Sequence, residues 1–441
     1  MENSNDNFGT VVITSMDHEG KGIAHVNEKI LFIDNAIIGE KVLYKTLKKK
    51  KNISFAKSIK VYKASSQRVT PQCRVYGVCG GCSMQHIEIS SQLALKQRAF
   101  EETLWHVGQV KPIEILRPIA GPSMHYRHKA RLRVKFIKKK QQVLIGFNEK
   151  MSHFLTNMSA CPVLPLKISN LILPLQNLFG ELSIKEKIPQ IEYSSNQLRH
   201  ILVLRILDVF SDEDCKKLKD FQNENDIEFW TQTKGYDTVA PMFDNLSTEI
   251  TYTNIEFNIQ YLFNPTGFTQ INPFVNQVLI RKVFTLIKPN KNDHILDFFS
   301  GAGNFSLPLA TSGAKVIAVE GDELLVQAGN LNVKRNKLDQ SLLFKQINLF
   351  SLQRTELKDL GLANKWLIDP PRDGALNLIN LIDDEIKPIM IVYISCNVAT
   401  LARDAKILVN QKGYQFVKGG LLNMFPHTSH IESIAIFELS A

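Results

Sequence analysis

Cys396 stands in "IVYISCNVATLARD", where a short apolar run, Ile391 to Ile394, gives way to Val398, Leu401, Ala402, Ala405 and Leu408 at helical spacing. A cysteine at such a junction can be a small packed residue, a metal ligand or a nucleophile. Two carboxylates close other strand-like runs, Asp369 in "WLIDPPR" and Glu320 in "AKVIAVE". In a doubly wound sheet the carboxyl ends of the strands form the ligand crevice, so all three residues are expected in one cleft. A thiol at a helix start near cations is expected to have a lowered pKa and to attack as the thiolate. One reaction that needs it is methylation of uracil at C5, a carbon too electron-poor to attack a methyl donor. Thiolate addition at C6 makes C5 enolate-like; C5 then takes the methyl, a base removes the C5 proton and the thiol leaves. "NMFPHTSHIESIAIFE" offers His427, His430 and Glu432 as that base, and spacing does not choose among them.

The segment "HILDFFSGAGNFSLPLA" reads as a strand, a glycine turn and a helix. Gly301 and Gly303 let the backbone approach a ligand at free helix N–H groups. The third glycine of the dinucleotide fingerprint is absent, Ser306 standing in its place, which argues against a pyrophosphate. Glu320, nineteen positions after Gly301, suits two ribose hydroxyls. A nucleoside without a pyrophosphate points to S-adenosylmethionine. Pro370 and Pro371 stop the strand ladder after Asp369 and stiffen the loop.

Four more cysteines form a pattern, Cys73-x5-Cys79-x2-Cys82 with Cys161 far along in "SACPVLP". Four thiolates can hold an iron–sulfur cluster or a structural zinc, and spacing leaves both open. Cys215 has no partner in the pattern and is expected to pack. No run approaches a membrane span, and the polar, acidic "MENSNDNFGT" lacks the features of a secretory leader, so a cytoplasmic protein with reduced cysteines is the expectation.

The net charge of +10 is unevenly placed. Lys41 to Arg68 holds ten Lys or Arg and no acid, and Arg117 to Asn148 is also free of Asp and Glu. Within the second stretch Lys129, Arg131, Arg133 and Lys135 alternate with Ala130, Leu132, Val134 and Phe136. That period puts four cations on one strand face, the footprint of a protein that neutralises phosphates.

A chain of 441 residues is long enough for about three domains. Residues 1–64 show short strand-like runs punctuated by Gly and Asn, as in a small β-barrel. Residues 65–260 carry the cysteines, an amphipathic helix over about 88–110 with Leu93, Leu95, Ala99, Leu104 and Val107 on its apolar face, expected to pack on the catalytic unit, the basic strand, and strand and helix runs whose order is not legible. From 261 to 441 strands alternate with helices, as in an α/β sheet covered on both faces.

Taken together, "FTQIN", "LDFFSGAGNFSLPLA", "IDPPR", "YISCNVATLARD" and "MFPHTSHIES" resemble the motifs of the RNA uracil-5-methyltransferases of the TrmA/RlmC/RlmD type, in order and over almost the whole chain. The resemblance implies a Rossmann-like methyltransferase domain, with Cys396 as nucleophile and Glu432 as base. It implies Gln270, Phe299, Asn304, Glu320, Asn348 and Asp369 as contacts of S-adenosylmethionine. It assigns Cys73, Cys79, Cys82 and Cys161 to a 4Fe–4S cluster and likens the N-terminal barrel to a TRAM domain. With barrel and cysteines both present, the likeness is nearest to the branch acting on 23S ribosomal RNA at the uridine conventionally numbered 1939. No obligate protein partner is expected. Ser300 stands where the family has Cys, and Asn423 where it has Asp. Two other readings compete. Amino-group methylation is hinted at by "DPPR", and a non-catalytic RNA-binding factor would use only the barrel and basic strand; both leave Cys396 and Glu432 without a task.

Overall fold

The computed structural model describes residues 7–196, 198–244 and 247–440, so most of the polar N-terminal stretch, residues 1–6, lies outside the described residues. The first sheet has the order β1-β5-β6-β4-β3-β2, built from β1 Phe8–Val12, β2 Ser15–Met16, β3 Gly22–Val26, β4 Lys29–Asp34, β5 Lys41–Lys49 and β6 Ile53–Lys63. Alternation along these strands points Leu31, Ile33, Val42 and Ala56 into one small core.

Helix α1, Ile89–Thr103, and strand β7, Glu114–Ile119, come next in the chain and belong with the last sheet. The second sheet, in the order β13-β12-β11-β10-β8-β9, comprises β8 Lys129–Ile137, β9 Gln142–Gly146, β10 Gln190–Ser195, β11 His200–Arg205, β12 Glu228–Gln232 and β13 Ala240–Pro241. Helices α2, Leu166–Gly180, and α3, Asp212–Asn225, accompany it. In β8 the period of two holds: Ala130, Leu132 and Val134 are buried, while Arg131, Arg133 and Lys135 are exposed and Lys129 is half-buried.

The third unit contains the hairpin β14 Thr251–Asn254 and β15 Ile259–Leu262, followed by α4 Pro273–Ile287, β16 His294–Phe298, α5 Ser306–Ala310 and β17 Lys315–Glu320. It continues with α6 Glu323–Arg335, β18 Leu342–Gln346, α7 Arg354–Asp359, β19 Lys365–Ile368, α8 Leu376–Asn380, β20 Met390–Ser395, α9 Val398–Gln411, β21 Tyr414–Leu422 and β22 Glu432–Leu439. Its sheet order is β18-β17-β16-β19-β20-β22-β21-β7. The five strands from β18 to β20 are parallel, and β22 runs antiparallel to both neighbours. These strands read as unbroken apolar runs because both faces are covered. Trp366, Ile368, Ile391 and Tyr393 point into one core, and Leu367, Val392 and Ile394 into the other.

Two features differ from the sequence reading. The division at residue 260 is crossed: β7 pairs with β21 and covers what would be an open edge, and Ile259 and Tyr261 pack into the last core. The helix over 88–110 also turns a different face inward. Gln92, Lys96, Ala99, Phe100 and Leu104 are buried, whereas Leu93 and Leu95 are only half-buried and Val107 is exposed. Polar Gln92 and Lys96 face inward because backbone and amide acceptors await them there. Among the described residues, no helix is long and apolar enough to cross a membrane.

Candidate active site

The parallel strands end along one edge of the third sheet, and the singled-out residues lie at or just beyond those ends. Phe299 follows β16, Glu320 is last in β17, Asp369 follows β19 and Cys396 follows β20. Because β22 is antiparallel, its first residue, Glu432, begins at that same edge. The β20/β22 register ends with Ser395 paired to Ser433, so Cys396 and Glu432 both lie just beyond that last pair, near enough for the Glu432 charge to act on the thiol. His430 instead contacts Arg372, its Nδ1 lying 3.4 Å from the guanidinium, and His427 is buried against α1.

Burial, then Glu432 and Asp369, push the Cys396 thiol up to about 11, and Arg372 offsets only part of this. The lowered pKa expected from the helix start is therefore absent: two carboxylates and desolvation outweigh one guanidinium and a helix end. Burial and Asp369 raise Glu432 to about 8, with Arg372 opposing. Burial alone raises Asp369 to about 7. Asp297, fully buried in β16, is raised to about 8 by burial, with Asp369 and Glu320 adding to it, although Ser306 Oγ donates to it at 2.5 Å. Acids crowded in this way match a positively charged ligand.

The glycine turn takes left-handed backbone at Phe299 (φ +62°), Gly301 (φ +56°) and Gly303 (φ +97°). A Cβ on Gly301 would meet nothing within 4 Å, so that glycine supplies conformation and an open approach. The Glu320 carboxylate accepts the N–H groups of Gly301 (2.9 Å), Gly321 (2.8 Å) and Asp322 (3.0 Å). Ser300 acts through its main chain: its N–H donates to Val319 O at 3.2 Å and its carbonyl accepts Gly303 N–H at 3.0 Å. The rings of Phe299 and Phe350 are 5.7 Å apart, and Asn348 Oδ1 accepts the Phe350 N–H at 3.1 Å. Asn304 and Asn276 exchange side-chain amide bonds of 2.9 and 3.1 Å. Gln270 lines a cavity of about 50 Å³ with Asn276 and His128.

Sequence reasoning quoted Arg372 but gave it no task. It is the cation facing both Cys396 and Glu432, and its carbonyl accepts Asn397 Nδ2 (2.9 Å) and Thr400 Oγ1 (3.2 Å), which ties the loop after Asp369 to α9. Lys96 was missed as well. Its buried ammonium donates to Asn423 Oδ1 at 3.0 Å and to Phe425 O at 2.9 Å, and burial lowers it to about 7. An unfolded lysine keeps its proton up to about 10.5, so the folded state gains stability as pH rises from 7 towards that value. Asn423→Asp supplies a counter-charge. It is expected to raise stability at pH 6–7 by about 1 kcal/mol, and to flatten that rise, as calorimetry across pH would record.

Cys73, Cys79, Cys82 and Cys161 are all free thiols, with Cys79 and Cys161 buried. Burial raises Cys82 to about 11, with Cys79 and Cys73 adding, and Cys161 to about 12, with Cys82 and Cys73 adding. Cys82 thus feels Cys73 and Cys79, and Cys161 feels Cys82 and Cys73, but among the described residues no three ligating side chains are grouped closely enough to hold a metal ion as they stand. Cys215, on α3, has Asp212 and Asp214 of its own helix as charged neighbours.

The family described as tRNA (Uracil-5-)-methyltransferase matches residues 88–439. A 23S rRNA (uracil(1939)-C(5))-methyltransferase RlmD of Nitrosospira multiformis is 43% identical over 97% of this chain and 98% of its own. The protein of the same name from Chromobacterium violaceum is 44% identical over 97% of this chain and 84% of its own. In fold, the chain is similar to the Pyrococcus abyssi tRNA (uracil-54, C5)-methyltransferase in complex with S-adenosyl-L-homocysteine, with a TM-score of 0.75, 21% identity, and coverage of 97% and 99% of the two chains. Motif order, sheet topology and near full-length identity agree: this chain belongs to the RNA uracil-5-methyltransferase family.

Proposed function

We infer that the chain methylates C5 of a uridine in 23S ribosomal RNA, the position numbered 1939 in the names of its relatives, using S-adenosylmethionine. The observation that carries the chemistry is the juxtaposition of Cys396 and Glu432 at the carboxyl edge of the sheet. The cofactor supplies the methyl group. The residues present fit it: crowded acids suit a sulfonium, Glu320 suits ribose hydroxyls, and Phe299 with Phe350 offers an apolar wall for a base. Gln270, Asn304, Asn348 and Asp369 complete that proposed site. Cys396 Sγ adds to C6 of a uracil splayed out of its helix. Glu432 then takes the C5 proton, the electron pair of that bond restores the C5–C6 double bond, and the thiolate leaves. Arg372 offsets charge on Cys396 and Glu432. A ribosomal RNA substrate also makes the cytoplasm the site of action.

The test is methyl transfer from labelled S-adenosylmethionine to unmodified 23S and transfer RNA, with the product located by mass spectrometry. A single 5-methyluridine in 23S RNA is expected. The same product in transfer RNA would overturn the substrate, and no product on either would overturn the activity.

The exposed face of β8 is proposed as part of the RNA contact. There Arg131 donates to Glu192 at 3.2 Å and also meets the Tyr236 hydroxyl, and Arg133 donates to Asn148 at 3.0 Å. Arg131→Ala and Arg133→Ala should each weaken RNA binding and reduce the slope of log affinity against log salt by about 1. An unchanged slope in filter-binding titrations would remove them from the phosphate contacts.

Residues 1–64 are proposed as a TRAM-like unit, 65–260 as the cysteine-bearing unit, which lends β7 and the residues around Ile259 to the last core, and 261–441 as the catalytic one. Cys73, Cys79, Cys82 and Cys161 are proposed to hold a 4Fe–4S cluster that fastens the Cys73 loop to the segment around Cys161. Neighbouring thiols whose ionised forms repel one another suit a cationic metal centre. Cys79→Ala or Cys161→Ala, purified without oxygen, should lack iron and the visible absorption of the wild type and melt at lower temperature. Iron-free protein with unchanged melting would refute the fastening role.

A further inference from the structure

The loop from Asn423 to Ile431 leads directly into Glu432, and almost every residue of its first half is held by a different outside group. Asn423 N–H donates to Ile119 O at 2.7 Å, and Lys96 binds Asn423 Oδ1 and Phe425 O. Tyr126 Oη donates to Pro426 O at 3.0 Å. His427 is the most heavily engaged. Its carbonyl accepts the N–H groups of Ser83 (2.9 Å) and Met84 (3.0 Å), which directly follow Cys82. Its own N–H donates to Gln92 Oε1 at 2.9 Å, and its ring Nδ1 lies 3.1 Å from Gln92 Nε2. The same Gln92 amide donates to Met84 O (3.0 Å) and Ile87 O (2.8 Å). Gln92 and His427 are both buried, at 0% and 5% exposure, and His427 adopts left-handed backbone at φ +64°. One side chain of α1 thus joins the cysteine loop to the catalytic loop through four contacts.

We propose that Gln92 and His427 are positioning residues for proton abstraction, fastening the loop that delivers Glu432 to the loop that follows Cys82. The inference rests on the reading of Glu432 as the base. Neither residue touches the reacting atoms. A buried, multiply bonded amide holds a single geometry, and strain in a non-glycine left-handed residue persists only where its surroundings enforce it. Slackening it leaves Cys396, Arg372 and the cofactor turn on their own elements, so addition at C6 and methyl transfer continue while removal of the C5 proton lags. The chain then waits as a covalent complex in which C5 bears both methyl and hydrogen and C6 remains bonded to Cys396 Sγ.

The experiment compares wild type, Gln92→Met, His427→Gly and Glu432→Gln on plain uridine RNA with labelled S-adenosylmethionine. Gln92→Met keeps shape and loses all four contacts. His427→Gly adopts the left-handed backbone freely, keeps its main-chain bonds and loses the buried ring with that ring's contacts to Gln92 and Ser123. Expected for Gln92→Met is a kcat lower by roughly 10- to 100-fold, the range that a displacement of about 1 Å can cause. KM for RNA stays within about twofold, and methyl-labelled RNA–protein complex survives denaturation. His427→Gly should accumulate the same complex to a smaller extent, and carries the test should Gln92→Met not fold. A raised KM at unchanged kcat, slow turnover without trapped complex, or wild-type kinetics in a folded variant would each overturn the positioning role. Glu432→Gln separates the two ideas. If it traps complex and the positioning variants do not, only this inference falls; if it turns over freely and traps none, the reading of Glu432 falls and takes the inference with it.

Discussion

Cys396→Ala is expected to bind RNA and S-adenosylmethionine as the wild type does and to lose methylation by roughly 10⁴-fold or more, the scale on which removing a covalent nucleophile acts. The argument is chemical before it is structural. C5 of uracil becomes nucleophilic only while something is bonded to C6, and Cys396 is the thiol on which the Glu432 charge acts. The side chain is small and half-buried at the start of α9, so truncation leaves little cavity and the fold is not the expected casualty. Single-turnover methyl transfer, with RNA affinity and melting temperature measured alongside, decides the matter. Activity near wild type would remove the covalent step, and loss of RNA binding together with activity would reassign Cys396 to packing.

Glu432→Gln is the second large effect, a fall in turnover of roughly 10²- to 10⁴-fold, as for removal of a general base, with covalent RNA–protein complex accumulating. It also has a consequence in the absence of RNA. Glu432 is one of the carboxylates that raise the Cys396 thiol to about 11. With Glu432 itself raised to about 8, that carboxylate is charged above pH 8 and neutral below. Removing its negative charge lowers the thiol pKa, so at pH 9 alkylation of Cys396 in cofactor-free protein should be faster in Glu432→Gln than in wild type. At pH 6, where the wild-type carboxyl is already protonated, the two should match. Mass-spectrometric peptide mapping of alkylated Cys396 reads this directly. Equal rates at pH 9 would mean that the two groups do not face one another.

The uncompensated state of the site carries a further lesson. Asp297, Asp369 and Glu432 are all raised, and Cys396 with them, because each is desolvated beside other acids. A cationic cofactor held beside them would favour the charged form of each acid, the thiolate included. The chain's own Arg372 supplies only part of that compensation.

By itself, the sequence determined whatever depends on local periodicity and on where a strand stops. The period of two in β8 fixed which side chains are cations facing out, because a residue's face follows from its position alone. Unbroken apolar runs ending in Glu320, Asp369 and Cys396 placed these residues at one edge, because parallel strands share a direction. The glycine turn was legible because left-handed backbone demands it at Gly301 and Gly303. The tertiary structure alone decided what depends on partners far away in the chain. Antiparallel register, not spacing, sets Glu432 rather than His427 or His430 near Cys396. The direction of the thiol pKa reversed because desolvation and remote carboxylates are invisible to a local motif. The inward face of α1 rotated onto Gln92 and Lys96 because acceptors more than three hundred residues later in the chain satisfy them. Strand β7 joined the last sheet because an edge needed covering, a need that no neighbouring residue records.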